Sequence, residues 1–87
     1  MLFIYPDLRP RSFWMKDTKI PLSIAFLDDS GQIFSIQDMT PMQTDKRYPS
    51  SRPAGYALEV NQGWFGNKGI KVGDVVEMKL PVVLDVR

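Results

Sequence analysis

The polar side chains best suited to chemistry in this sequence are those of Lys16, Thr18 and Glu59. Glu59 is predicted to lie in the middle of a strand, on the same face as Ala57 and Asn61. A carboxylate there must be solvated or paired, because an isolated buried charge is very costly. Lys16 is the candidate partner, with the Thr18 hydroxyl close to it in the sequence. The pair is either an ion pair that closes the mouth of the fold or the floor of a ligand pocket.

Two tryptophans, Trp14 and Trp64, are candidate walls for such a pocket. Phe13 and Trp14 are consecutive, so in an extended segment one enters the core and the other stays partly exposed. An exposed indole can stack on a sugar or a base and orient it through its N–H group; the alternative is that both aromatics belong to the core or its rim. Gly63 allows a sharp turn that places Trp64 at the rim. The predicted ligand-binding residues are Trp14, Lys16, Thr18, Glu59, Asn61 and Trp64.

These residue types favour a non-catalytic module that binds a small polar ligand, for example a saccharide, or a partner in the cell envelope. The first alternative is a purely structural or assembly domain without a ligand. The second is a hydrolase that uses Glu59 and Lys16. Hydrolysis by paired carboxylates would need a second acid at a fixed separation, and the candidates for it are Asp17, Asp38 and Asp74.

The composition narrows the possible sites and partners. The 87 residues include no cysteine and no histidine, which removes disulfides, zinc–thiolate sites and the commonest metal ligand. The acidic residues lack the spacing of a calcium loop, so neither a metal nor a cofactor is predicted. Eleven lysines and arginines against ten acidic residues give a net charge of +1, which does not favour a nucleic-acid partner.

Nothing in the sequence predicts insertion into a membrane or export. No apolar run approaches the ~20 residues that a membrane-spanning helix needs. The opening residues, MLFIYP, are too short for a secretion signal and lack its basic first segment. Neither a transmembrane segment nor a signal peptide is predicted, and the cellular compartment stays open.

Strand-like segments alternate with turn signals along most of the chain. The sequence DDSG at residues 28–31 is typical of a turn, so residues 22–39 are predicted to form a β-hairpin. Further strands are predicted at residues 2–5, where Pro6 is expected to end the strand, and at residues 56–61, 75–80 and 82–86. The predicted core residues are Leu22, Ile24, Phe26, Leu58 and Val76.

Two segments depart from the strand pattern. Residues 40–55 contain three prolines and few apolar residues, so an irregular loop is predicted there. Residues 62–68 are predicted to form a short helix, with Asn61 as its N-cap and Gly69 as its stop. Together the elements predict one mostly β domain over residues 1–87, a small antiparallel β-barrel or barrel-like sandwich with one short helix.

Three blocks of sequence resemble a prokaryotic family known as domain of unknown function 192: MLFIYP, SFWMKDTKIPLSIAFLDDSGQI and YALEVNQGWFGNKGIKVGD. The resemblance runs in order from Met1 to about residue 76 and includes a motif similar to F-W-M-K-N-T-x-x-P-L-D-I-A-F-L-D. It implies a mostly β, barrel-like domain with no established activity. Many family members resemble exported proteins.

The chain departs from the family pattern at three places. Asp17 stands where the family motif has asparagine, and Ser23 stands where it has the aspartate of P-L-D. Family members also usually carry a further stretch before this point, with a strand and a short helix. If Met1 is the natural start, part of the usual sheet is expected to be missing, and the lack of a signal peptide is explained.

A thin core without disulfides or metal sites favours self-association. Unpaired strand edges template pairing with another chain unless charges or a covering segment block them. The terminal segments LFIY and VVLDV carry only one charge, that of Asp85. The sequence therefore predicts a homodimer whose interface includes residues 2–5 or 82–86.

Overall fold

A computed structural model describes residues 1–77 and shows a four-stranded antiparallel sheet with a separate two-stranded sheet. The larger sheet has the strand order β1-β6-β3-β4, and the smaller one pairs β2 with β5. The elements are β1 (Leu2–Arg9), β2 (Ser12–Trp14), β3 (Leu22–Leu27), β4 (Ile33–Met39), β5 (Arg47–Pro49), β6 (Ala54–Asn61) and α1 (Trp64–Lys68). The predicted class, mostly β and antiparallel with one short helix, is confirmed. Within residues 1–77 the strands form a sandwich-like arrangement of open sheets and no closed barrel.

The predicted hairpin forms the centre of the larger sheet. β3 pairs with β4 from Leu22 opposite Met39 to Leu27 opposite Ile33. In the turn, the Asp28 Oδ1 atom accepts hydrogen bonds from the backbone N–H groups of Ser30 at 2.9 Å and Gln32 at 3.0 Å. This aspartate fixes the turn because its carboxylate satisfies donors that the reversing backbone leaves unpaired.

Both faces of β3 are buried, each against a different cover. Ile24 and Phe26 point into the first core cluster, which is covered by Tyr48 of β5 and by Met15, directly after β2. The opposite face packs into the second core cluster, whose buried residues are Ala25, Leu27, Ile33 and Phe65 of α1. Of the predicted core residues, Ile24 and Phe26 are fully buried, while three are partly buried and pack against these clusters: Leu22, Leu58 and Val76.

The prediction of an irregular loop over residues 40–55 is wrong in two segments, because residues 54–55 begin strand β6 and residues 47–49 form another strand. Arg47–Pro49 forms strand β5, which pairs with β2 so that Phe13 lies opposite Tyr48. Tyr48 is 3% exposed, and its hydroxyl accepts a hydrogen bond from the Thr40 N–H at 3.0 Å. Tyr48 anchors this short strand in the core. Its partner strand β2 lies more than thirty residues earlier in the sequence, so the pairing has no local sequence signal.

Two predicted boundaries also shift. β1 continues past Pro6 to Arg9, since it lies at a sheet edge where a missing N–H group is tolerated, and its register with β6 is irregular there. Helix α1 is capped at its N-terminus by Gly63 in the left-handed region, with φ of 93°, and not by Asn61. Gly69 ends the helix in the left-handed region, as predicted.

The last part of the chain is described only in part. Of the predicted strand at residues 75–80, the described portion forms an isolated bridge between Val75 and Gln32. The predicted strand at residues 82–86 lies outside the described residues. Residues 2–5 belong to β1, the edge strand that pairs with β6. The homodimer stays a prediction, and light scattering after size exclusion would decide it.

Candidate functional site

Trp14 ends strand β2 of the small sheet, and Lys16 lies in the turn that follows. Trp14 is 41% exposed, whereas Phe13 packs against the first core cluster, so the predicted division of this aromatic pair is confirmed. The Lys16 Nζ atom lies 5.2 Å from the centroid of the Trp14 ring, and the Arg47 guanidinium carbon lies 4.5 Å from it. The structure therefore holds two cations against one exposed indole by cation–π attraction.

Glu59 lies apart from this pair. It sits opposite Ile24 in the β3–β6 register, and its side chain is half-buried on the face of the first core cluster. The ion pairs among residues 1–77 are Arg9–Asp7, Arg11–Asp7 and Lys71–Asp74. The described residues thus show no ion pair between Lys16 and Glu59. Both interpretations from the sequence, an ion pair that closes the fold and the floor of a ligand pocket, required these two residues to lie together.

The other predicted site residues lie in three further places. Trp64 packs against the second core cluster, with its ring 5.6 Å from that of Phe65, so it lies across the sheet from Glu59. The Thr18 N–H donates to the Met15 carbonyl in a tight turn at 3.1 Å. Asn61 is exposed at the end of β6. The predicted residues therefore do not line one common pocket.

Replacing Glu59 with glutamine should stabilise the fold at neutral pH. Burial raises the pKa of the Glu59 carboxyl above its usual value, so the folded state holds this proton more tightly than the unfolded state does. The stabilising contribution of the protonated form is complete below the unfolded pKa and is lost as the pH rises through the folded pKa.

Urea denaturation should give similar free energies of unfolding for parent and Glu59→Gln at about pH 4 and a more stable variant at about pH 7. Glu77→Gln, at an exposed carboxylate, is the matched control. A difference between parent and Glu59→Gln that does not change with pH would contradict the assignment.

A cleft of about 520 Å³ opens between the β3–β4 hairpin and α1, on the face opposite Glu59. We refer to it as the α1 cleft. Its lining residues are Ser23, Ile36, Asp38, Gln62, Gly63, Phe65, Gly66, Ile70, Lys71 and Val72.

The polar floor of the α1 cleft is a hydrogen-bonded pair from neighbouring strands, in which Ser23 is buried and Asp38 is exposed to solvent. Ser23 and Asp38 lie directly opposite each other in the β3–β4 register. Ser23 is only 2% exposed, and its hydroxyl donates to the Asp38 Oδ1 atom at 2.6 Å. A buried serine needs such a partner, because an unsatisfied buried hydroxyl costs about 1–3 kcal/mol. The serine in turn fixes the orientation of the carboxylate.

The walls of the α1 cleft are mostly apolar, with the polar side chains of Gln62 and Lys71 also among them. Ile36, Phe65 and Ile70 belong to the second core cluster and supply the carbon surface. A Cβ atom added at Gly63 or Gly66, which both line the cleft, would meet nothing within 4 Å. The α1 cleft therefore offers the Ser23–Asp38 pair, mostly apolar walls and an accessible mouth.

One cation lies at the rim of the α1 cleft and is already paired. The Lys71 Nζ atom lies 3.2 Å from the Asp74 Oδ1 atom, and the Lys71 N–H donates to the other carboxylate oxygen at 2.9 Å. These hydrogen bonds, with the Lys71 charge, lower the pKa of the Asp74 carboxyl. Within residues 1–77 no group of three or more acidic side chains could hold a metal ion.

The sequence carries a further signal for this cleft. Ser23 interrupts a strand whose neighbouring side chains on the same face, Ala25 and Leu27, are apolar and buried. A polar residue at a buried strand position requires a partner, and the return strand of the hairpin supplies it from Asp38. Hairpin register alone would have paired the two residues.

The chain is similar to two solved crystal structures of bacterial proteins. A candidate transcription regulator from Sinorhizobium meliloti 1021 has a TM-score of 0.82 and 35% identity, over 88% of this chain and 60% of that one. A protein of unknown function from Novosphingobium aromaticivorans DSM 12444 has a TM-score of 0.78 and 34% identity, over 90% of this chain and 56% of that one. The chain thus spans less than two thirds of the length of either relative. No curated protein matches it.

Among residues 1–77, no helix combines the length and apolarity needed to cross a membrane. The profile of a family of unknown function, described as "Uncharacterized ACR", matches residues 1–78, which is most of the sequence. This match confirms the resemblance seen in the three sequence blocks. The chain belongs to the DUF192 family.

Proposed function

We propose that this domain is a non-catalytic module that binds a small polar ligand in the α1 cleft. The observation that carries the proposal is the buried Ser23 hydroxyl, bonded to the exposed Asp38 carboxylate, in a cleft whose other lining side chains are mostly apolar. Ligand sites typically combine apolar walls with a few fixed polar groups in a volume of about 300–1,000 Å³. The α1 cleft has this composition, and its volume falls within that range.

The same pair argues for binding over hydrolysis. A serine nucleophile is ordinarily activated by a neighbouring histidine or lysine, and the group beside the Ser23 hydroxyl is instead the Asp38 carboxylate. Lys71, the amine nearest this floor among the lining residues, is held by Asp74. Glu59 and Lys16, the residues of the hydrolase alternative, form no pair among the described residues. The near-neutral net charge supports a small-molecule partner over nucleic acid.

Filling the α1 cleft should abolish binding without disturbing the fold. The position for this is Gly66, which lines the cleft and where an added Cβ atom would meet nothing within 4 Å. We expect Gly66→Leu to weaken binding of small probes at least about tenfold, because the leucine occupies the volume that the probe needs. Asn67→Leu, an exposed position on the same helix that does not line the cleft, is the matched control.

The measurement is a saturation-transfer NMR titration of parent and both variants with n-butylamine, n-butanol and D-glucose. The proposal predicts that at least one probe binds the parent and Asn67→Leu equally and binds Gly66→Leu much more weakly. Equal binding to all three proteins would place the site elsewhere. Lack of binding by every probe would support the alternative of a purely structural or assembly domain.

A further inference from the structure

We infer that the α1 cleft selects ligands that carry a protonated amine, an inference that rests on the proposed function. The first step is a count of hydrogen-bonding capacity on its floor. A serine hydroxyl has one hydrogen, and in Ser23 that hydrogen is already donated to the Asp38 Oδ1 atom. The pair therefore offers only acceptors, namely the free lone pairs of the hydroxyl and of the carboxylate. A ligand group bound there must be a donor.

The second step is charge. The ion pairs among residues 1–77 use Asp7 and Asp74 and do not involve Asp38. Asp38 therefore presents a carboxylate that no described cation neutralises. A charged donor forms a hydrogen bond to a carboxylate that is about twice as strong as a neutral donor does, so an ammonium group is preferred over a hydroxyl.

The third step concerns the alternative of an anionic ligand. Lys71 is the only cationic side chain among the described lining residues of the α1 cleft, and Asp74 offsets its charge. An anion would therefore meet the Asp38 carboxylate without a free cation to compensate for it. Among the remaining lining residues, the apolar Ile36, Phe65 and Ile70 suit the carbon body attached to the amine.

A set of three four-carbon probes that differ in charge tests the charge preference directly. The probes n-butylamine, n-butanol and butyrate have similar carbon chains, and at about pH 7 the amine is cationic and the acid anionic. We expect the amine to bind at least about tenfold more tightly than the alcohol, and butyrate to bind weakest. Dissociation constants come from the same NMR titration used for the Gly66 variant.

Asp38→Asn identifies the residue responsible. This substitution preserves shape and leaves an amide oxygen to accept the Ser23 hydrogen, but it removes the charge. It should weaken amine binding about tenfold and change alcohol binding by less than about twofold. Asp45→Asn, at an exposed carboxylate that does not line the cleft, should change neither. Unchanged NMR spectra away from the site show that each variant is folded.

The outcomes separate this inference from the function on which it rests. If the alcohol binds as tightly as the amine and Gly66→Leu blocks both, the α1 cleft binds ligands but does not select amines. If the amine binds and Asp38→Asn has no effect on it, the assignment of Asp38 is wrong. If no probe binding depends on Gly66, the inference and the proposed function both fail.

Discussion

Replacing Phe26 with alanine should destabilise the domain by about 3–5 kcal/mol. Phe26 is 0% exposed and fills the first core cluster between the larger sheet and the small β2–β5 sheet. Its ring lies 5.8 Å from that of Phe13 and 6.4 Å from that of Phe34. Truncation removes both aromatic contacts and leaves a cavity between the two sheets, which the surrounding side chains fill only in part.

The loss should be visible as a fall in melting temperature on the order of 15–30 °C, since about 1 kcal/mol corresponds to 4–8 °C in a domain of this size. Thermal unfolding followed by circular dichroism measures it. Ile20→Ala is the matched control, because Ile20 is 54% exposed and its truncation should cost less than about 0.5 kcal/mol. A Phe26→Ala protein that melts within a few degrees of the parent would refute this core arrangement.

Gly31→Ala should be the most damaging glycine substitution in the described chain. Gly31 closes the central hairpin turn with φ of 88°, a region that L-residues rarely adopt. An added Cβ atom would also lie 2.8 Å from the Val76 carbonyl oxygen, closer than such contacts allow. The backbone strain alone costs about 1–3 kcal/mol, and the required movement of Val76 adds to it.

Gly66→Ala is the opposite case and the natural control. The added methyl group meets nothing within 4 Å, and alanine in a helix is favoured over glycine by about 0.5–1 kcal/mol. Urea denaturation should therefore give free energies of unfolding that move in opposite directions for these two identical substitutions. A Gly31→Ala protein as stable as the parent would show that the turn does not require a left-handed residue.

The parts of the fold that sequence reasoning predicted are those fixed by local patterns. Alternating apolar residues and the DDSG turn specify the hairpin, and consecutive Phe13 and Trp14 must point to opposite sides of a strand. Strand β5 was missed because its only apolar anchor is Tyr48, and its pairing depends on β2, more than thirty residues earlier. Pro6 was misread as a stop because edge position, which tolerates proline, is a property of the whole sheet.

The candidate site likewise combines features that are local in the sequence with features that depend on the whole fold. Residue types identified Trp14, Glu59 and Trp64 as unusual, but period-two alternation does not say which element covers each face of a sheet. The left-handed turn at Gly63 places α1 over the face of Leu58 and Val60, which separates Trp64 from Glu59. The Ser23–Asp38 pair is a local consequence of hairpin register and was predictable in principle, whereas the apolar walls around it required the position of the helix.

The location of the ligand is the central claim, and residue-resolved NMR tests it most directly. In a titration of the ¹⁵N-labelled parent protein with n-butylamine, the account predicts saturable shifts of the backbone amides of Ser23, Asp38 and Gly66. The indole N–H of Trp14, on the other side of the sheet, should not move. Shifts centred on Trp14 or Glu59, or no saturable shift at any residue, would contradict the claim that the α1 cleft is the binding site.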